Sequence, residues 1–420
     1  MQKPNLCIAH SGGVCSILNT TAAASILQAR KKNAYGKIFV AEFGLNGLIS
    51  KRLFDTENLS SDQLNQLSQT PSSAFGSCRY KLPEFSQDPS VYQSIFNTLA
   101  QFNIQHLIYQ GGNDSQDTTL KLSKAARHFP NPLSVIGLPK TIDNDLQGTD
   151  FCPGYPSAAK YIATSTQEAA LDTRAMSKNS TQVFILEVMG RHTGWLALAS
   201  GLLRTQKHQA PHCILTPETP FCESTWLNYV QNTVKSYGFC VIVASEGLVD
   251  DSGELLCKQH SKDAFGHSQL GGIGATLNNI IASKTKLKSH WALPDYLQRS
   301  AGHLRSLCDV THARSLGEHA VDALLNNQHT CMLGLQRNPS TKNNTTWSIC
   351  SINLENCANH EKTMPTSFID PETYLISQTA RDYLTPLVLG EAIPTFNLGL
   401  CDYFDHSILK LASPHLISQE

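Results

Sequence analysis

Short, uninterrupted apolar runs alternate along the chain with longer stretches in which apolar residues recur every three or four positions. The short runs are Leu6 to Ala9, Ile38 to Phe43, His106 to Tyr109, Leu133 to Leu138, Val183 to Val188, His212 to Leu215 and Phe239 to Ala244. Parallel strands covered on both faces have this appearance. Helical spacing predicts helices over Ile17–Lys31, Asp117–His128, Ser157–Met176, Thr225–Ser236, Ala313–Leu325 and Tyr374–Leu384, the last stopping ahead of Pro386. The alternation, sustained through two halves, predicts an α/β fold of two doubly wound, Rossmann-like domains with the functional site in the cleft between them. Cys152-Pro153-Gly154-Tyr155-Pro156 marks the break. A first domain is expected over 1–150 and a second over 151–420, with an insertion near 263–293 and a C-terminal extension. Ser50 to Ser73, rich in Ser, Gln and Asn, is expected to be a surface excursion.

Two or three domains fit 420 residues, with ample length for large cores. A net charge of −1 argues against nucleic-acid partners and against a polybasic membrane patch. The N-terminus has no long apolar core, and the most apolar region, Val183 to Leu203, is interrupted by Glu187, Arg191 and His192. Neither a signal peptide nor a membrane span is expected. The 13 cysteines include no C-x-x-C pair and several lie in strand-like runs, so buried thiols and a cytosolic protein are expected.

The chemistry gathers at strand ends. Ser11-Gly12-Gly13 follows the first apolar run, and Gly111-Gly112-Asn113-Asp114-Ser115 follows the third. Glycines there let backbone N–H groups converge on an anion, with a helix N-terminus beyond. The next strand empties into Pro139-Lys140-Thr141-Ile142-Asp143-Asn144-Asp145, a lysine and two carboxylates one residue apart. Loops from one carboxyl edge of a parallel sheet are neighbours, so an anion cradle should face these groups. That conjunction suggests phosphoryl transfer. Met189-Gly190-Arg191 and Ser245-Glu246-Gly247 end two further strands, where an arginine can grip phosphate and a carboxylate can hold sugar hydroxyls. His192 is expected to be an ordinary hydrogen-bonded loop histidine. Tyr296 and Arg299 share a face if their segment is helical and lie on opposite faces if it is extended.

The three segments around Gly111, Pro139 and Met189 resemble the signature segments of the phosphofructokinases. The likeness continues through Phe75-Gly76-Ser77-Cys78-Arg79, Phe265-Gly266-His267, Tyr296-Leu297-Gln298-Arg299-Ser300 and the tail, covering nearly the whole chain. Lys140 and Asp114 match the pyrophosphate-dependent branch, where ATP-using relatives carry glycine at both positions. The resemblance implies reversible transfer from diphosphate to the 1-hydroxyl of fructose 6-phosphate. It makes 1–150 the donor domain and the remainder the sugar domain, with the chain crossing back after about 299. Asp143 would be the general base, its pKa kept low by neighbouring cations and Mg²⁺. Lys140, Asp114 and Arg191 join it as catalytic positions.

By the same resemblance, Gly12, Gly13, Arg79, Gly111, Gly112, Ser115 and Lys140 would bind diphosphate. The sugar would meet Thr141, Ile142, Asp143, Met189, Gly190, Arg191, Glu246, Tyr296, Leu297, Gln298 and Arg299. Asn113 and Asp145 would support Mg²⁺, and a homodimer is implied. Two departures from the family pattern lose charge: Asn113 stands where relatives carry a metal-associated aspartate, and Gln182 where they carry a basic residue; Val14-Cys15-Ser16, Tyr155-Pro156 and Gly302 differ as well. The two charge losses motivate an alternative, a catalytically impaired sugar-phosphate-binding or regulatory homologue. An ATP-dependent kinase is disfavoured by Asp114 and Lys140, and sedoheptulose 7-phosphate is a further acceptor to be tested.

Overall fold

The computed structural model describes residues 3–257, 271–339 and 345–413. Phe265-Gly266-His267, most of the loop at 341–346 and part of the segment at 263–293 lie outside them.

Helix α1 (Leu18–Lys32) follows strand β1 (Asn5–His10), and β2 (Ile38–Ala41), α2 (Leu45–Ser50) and β3 (Leu53–Asp55) come next. Helix α3 (Ser61–Gln69) occupies the stretch expected to be a surface excursion. Its N-terminus is a capping box in which Ser60 and Gln63 bond reciprocally, and Leu64 and Leu67 are buried. Helix α4 (Pro89–Gln101) leads to β4 (Ile104–Gly111), α5 (Asn113–Ala125) and β5 (Ser134–Pro139). Helix α5 begins at Asn113 rather than Asp117, so Asn113, Asp114 and Ser115 form its first turn instead of a preceding loop.

Helix α6 (Tyr155–Met176) carries the chain to β6 (Val183–Val188), α7 (Trp195–Ser200), β7 (Cys213–Leu215), α8 (Glu223–Tyr237) and β8 (Cys240–Ser245). Beyond lie α9 (Ile273–Lys284), β9 (Ser289–Ala292), α10 (Leu297–Ser300) and α11 (Leu307–Leu325). Strands β10 (Cys331–Arg337) and β11 (Trp347–Asn353) precede α12 (Gln378–Leu384), which is shorter than the helix expected from Tyr374. The hairpin β12 (Phe396–Asn397) and β13 (Leu400–Cys401) and the strand β14 (Lys410–Leu411) end the described chain.

The larger sheet has the order β11-β10-β5-β4-β1-β2-β3-β14, and the smaller one β7-β8-β6-β9. Strands β10, β5, β4, β1 and β2 run parallel, as does the entire smaller sheet. Alternating side chains feed opposite faces of a strand. Leu6 and Ile8 enter a core shared with α1, α6, α7 and α11, while Cys7 and Ala9 pack on the other face with residues of α4. Strand β6 repeats the device: Leu186 and Val188 join the shared core, and Val183 and Ile185 pack against α8 and α9. The shared core therefore joins the two sheets. All 13 cysteines are unpaired, and no described helix is long and apolar enough to cross a membrane.

Candidate active site

A cavity of about 990 Å³ opens at the carboxyl ends of β1, β4 and β5 on one side and of β6 and β8 on the other. Because β5, β4 and β1 are adjacent and parallel, their three following loops converge. Gly12, with φ +79°, turns the first loop, and its N–H bonds Cys78 O at 2.9 Å. Gly111 packs against Ser115, where a Cβ would meet Oγ at 2.0 Å, and so closes the turn into α5. Lys140 N donates to Gly111 O at 3.0 Å, tying the third loop to the second.

Three cationic side chains meet over the first loop. Lys140, almost fully buried, donates through Nζ to Gly13 O. A Cβ on Gly13 would lie 3.0 Å from Arg299 Nη1 and 3.9 Å from Arg79 Nη2. Burial pulls the Lys140 ammonium down to about 8, with Arg299 and Arg79 adding to the effect. Arg299, which the family resemblance links to the sugar phosphate, thus stands against the glycine loop. The segment bearing it is helical and its Cζ lies 4.3 Å from the centre of the Tyr296 ring, so the two residues share a face.

Asp143 and Asp145 flank Asn144, which is fully buried with φ +56°. Asp143 N bonds Thr141 Oγ1 at 3.1 Å, and Thr193 Oγ1 from across the cleft donates to Asp143 O at 3.0 Å. Burial raises the Asp143 pKa against the opposing charges of Lys140, Arg191 and His192. Among the protein groups alone, desolvation thus outweighs the cations. Burial, reinforced by Asp143 and Glu361, pushes Asp145 up to about 7.

The opposite wall comes from the smaller sheet. Gly190, with φ +135°, accepts from Ser245 Oγ at 2.6 Å, and a Cβ there would meet Thr193 O at 2.5 Å. This turn sets Met189 and Arg191 on the cavity wall beside Glu246. Burial raises Glu246 to about 7, with Asp143 adding to the shift.

The cavity wall also includes Gly112, Asn113, Asp114, Ser115, Thr141, Ile142 and Tyr296. Gly111 and Gly190 stand behind it as turn residues. Gln298 is buried beneath, accepting from Met189 N at 3.1 Å and donating to Asp295 O at 3.0 Å. Leu297 is exposed and does not line the cavity. Gln182 sits just ahead of β6, at the end opposite Met189, and bonds Lys288 O and Cys240 N through its backbone.

Sequence reasoning missed Glu187, Thr193 and Glu361. Glu187 accepts from Gly272 N and Gly274 N, both at 2.9 Å, holding the glycine turn at the start of α9. Glu361 comes from the C-terminal segment and contacts His192 Nδ1 at 2.7 Å. Its position carries no motif that a sequence could flag.

A cation would find oxygen here. Asn113 Oδ1 and Asp145 Oδ1 are both buried without a hydrogen-bond partner in the described structure. Among the described residues no three His, Cys, Asp or Glu side chains are grouped to clasp a metal. Such a site suits Mg²⁺, which keeps several waters and shares its shell with substrate phosphates. It does not suit an ion that needs a full protein cage.

The phosphofructokinase family model matches residues 5–324. A pyrophosphate–fructose 6-phosphate 1-phosphotransferase of Xanthomonas campestris pv. campestris is 44% identical over 393 residues, covering 93% of each chain. The Halomonas elongata protein of that name is 40% identical and covers 95% of each. The crystal structure of the pyrophosphate-dependent phosphofructokinase from Marinobacter aquaeolei superposes with a TM-score of 0.88 at 40% identity, covering 98% of this chain and 97% of that one.

Proposed function

The chain belongs to the phosphofructokinase family, and on that premise we propose that it transfers a phosphoryl group reversibly from diphosphate to the 1-hydroxyl of fructose 6-phosphate. The products are fructose 1,6-bisphosphate and phosphate. The observation that carries the donor assignment is Lys140 Nζ, buried over the Gly12-Gly13 turn in the same cavity as Asp114 on the first turn of α5. A small, highly charged donor without an adenosine anchor gains from a desolvated ammonium. Asp114 sets a carboxylate where a nucleotide's inner phosphate would have to pass.

In the forward step the sugar 1-oxygen attacks the terminal phosphorus while its proton passes to Asp143. The bond to the bridging oxygen breaks, and phosphate leaves. A general base of this kind contributes about 10²–10⁴-fold. Lys140, Arg79 and Arg299 are suited to the donor's charge, and Arg191 to the group in transfer. Glu246 is suited to sugar hydroxyls. Asn113 and Asp145 would hold Mg²⁺, which when bound neutralises charge on the phosphoryl oxygens. In this reading the larger-sheet lobe carries the donor and the smaller-sheet lobe the sugar.

The protein is further proposed to act in the cytosol as a homodimer. The exposed Phe396, Leu398 and Leu400 of the β12–β13 hairpin support a second copy as their cover. Light scattering of the wild type and of Leu398→Glu tests that. The reaction is tested by ³¹P NMR: equal formation of phosphate and fructose 1,6-bisphosphate from diphosphate, reversed on adding the products, is expected. Hydrolysis of diphosphate without sugar phosphorylation would refute the assignment.

A further inference from the structure

Asn113 and Asp145, whose side-chain Oδ1 atoms are left without partners, are both held through other atoms by one short piece of the C-terminal segment. Asn113 Nδ2 donates to His360 O at 3.0 Å. An amide has one donor end and one acceptor end. Engaging Nδ2 on a backbone carbonyl therefore leaves Oδ1 as the free end of the amide, buried and without a partner among the described residues. Two residues further on, Lys362 N donates to Asp145 O at 2.6 Å. Between them Glu361 bridges Leu146 in antiparallel fashion, and its carbonyl accepts from Gln147 Nε2 at 3.0 Å. Asn359 extends the same strap to α5 through Asp117 Oδ1 at 3.0 Å.

The strap also delivers a charge. The Glu361 carboxylate lines the cavity that contains Asn113 and Asp145, and it faces His192 from the opposite lobe at 2.7 Å. Asn113 brings an oxygen to the cation seat but no negative charge, which a hard divalent ion demands. We propose that Glu361 supplies the cation seat with the negative charge that Asn113 lacks, while its strap orients the Asn113 amide and the Asp145 loop. Glu361 acts as a positioning residue through bound water and its field rather than as a third clasping ligand, in keeping with the spacing of the acidic groups. The proposal rests on the phosphoryl-transfer reading above.

The test is Mn²⁺ binding, followed by loss of the free-ion electron paramagnetic resonance signal. The full-length protein is titrated alone and with imidodiphosphate, a diphosphate analogue that cannot transfer its phosphoryl group. Glu361→Gln is expected to weaken Mn²⁺ binding about 10- to 100-fold, the range for outer-sphere partners of a metal site. Adding Asn113→Asp to Glu361→Gln returns the charge by another route and should recover most of the loss. His192→Ala removes the contact across the cleft but keeps the carboxylate, so it should leave Mn²⁺ affinity near that of wild type. Glu361 is 40% exposed, and an unchanged melting temperature checks that its variant folds. Equal affinity in wild type and Glu361→Gln would overturn the proposal, as would equal losses in Glu361→Gln and His192→Ala, the signature of a purely structural tie. A wild type that binds no Mn²⁺ with imidodiphosphate would instead refute the underlying reading.

Discussion

Asn144 and Tyr383 stand 239 positions apart in the chain, and the Asn144 amide donates to the Tyr383 hydroxyl at 2.8 Å. The hydroxyl in turn donates to Asp150 O at 2.7 Å, while Lys362 Nζ reaches Asn144 Oδ1 at 3.4 Å. Asn144 separates the two acidic residues of the site and holds a left-handed backbone conformation that asparagine tolerates. A C-terminal helix thus braces the acidic turn from behind.

Removing that brace by Tyr383→Phe leaves the Asn144 amide donor without its partner, while the Asp150 carbonyl keeps Lys362 Nζ at 2.8 Å. Each unsatisfied buried group costs about 1–3 kcal/mol. Chemical denaturation should show a loss of that order, with kcat falling more than the sugar KM rises. Unchanged stability and kcat would show that the turn holds its shape alone.

Asp143→Ala should lower kcat by about 10²–10⁴-fold while leaving sugar-phosphate binding intact. Steady-state kinetics combined with calorimetric titration of fructose 6-phosphate separates the two effects. A variant that turns over at the wild-type rate would remove Asp143 from the proton transfer.

Gly13→Ala introduces a methyl 3.0 Å from Arg299 Nη1. The guanidinium must move, and misplacement of about 1 Å near reacting groups can cost up to about 100-fold. The diphosphate KM should rise, and the melting temperature should hold because the methyl faces the cavity. An unaltered diphosphate KM would mean that Arg299 does not serve the donor.

The pH dependence follows from Lys140. Its folded pKa is lowered to about 8, so the ammonium is present below that pH and lost above it. For the free enzyme, kcat/KM for diphosphate should therefore fall by about tenfold per pH unit above 8. In Lys140→Arg the cation persists, and this limb should vanish. Stability runs the other way: between about pH 8 and the unfolded lysine value the unfolded state binds more protons, so this group's contribution rises with pH. A wild-type profile that stays flat to pH 10 would contradict the assignment.

The buried strands and the glycine turns after them were legible because continuous apolar runs and Gly-Gly pairs are local signals. Val183–Val188 was read at its observed bounds. The start of α5 was read late because Asn113, Asp114 and Ser115 are polar and imitate a loop, although they form a helical first turn. Helix α3 hid in a polar stretch whose capping box, Ser60 with Gln63, was the overlooked cue. Glu361, Thr193 and Tyr383 reach the site by tertiary packing, and no spacing announces them. The raised Asp143 pKa was equally illegible, since charged neighbours can be named from sequence but the depth of burial cannot.

The most direct measurement compares initial rates with fructose 6-phosphate and Mg²⁺ when diphosphate or ATP is supplied at equal concentration. Turnover with diphosphate and little or none with ATP is predicted, which would also show that an asparagine suffices at position 113. Turnover with ATP would contradict the roles given to Asp114 and Lys140. No turnover in the wild type with recovery in Asn113→Asp would mark the protein as an impaired member of its family.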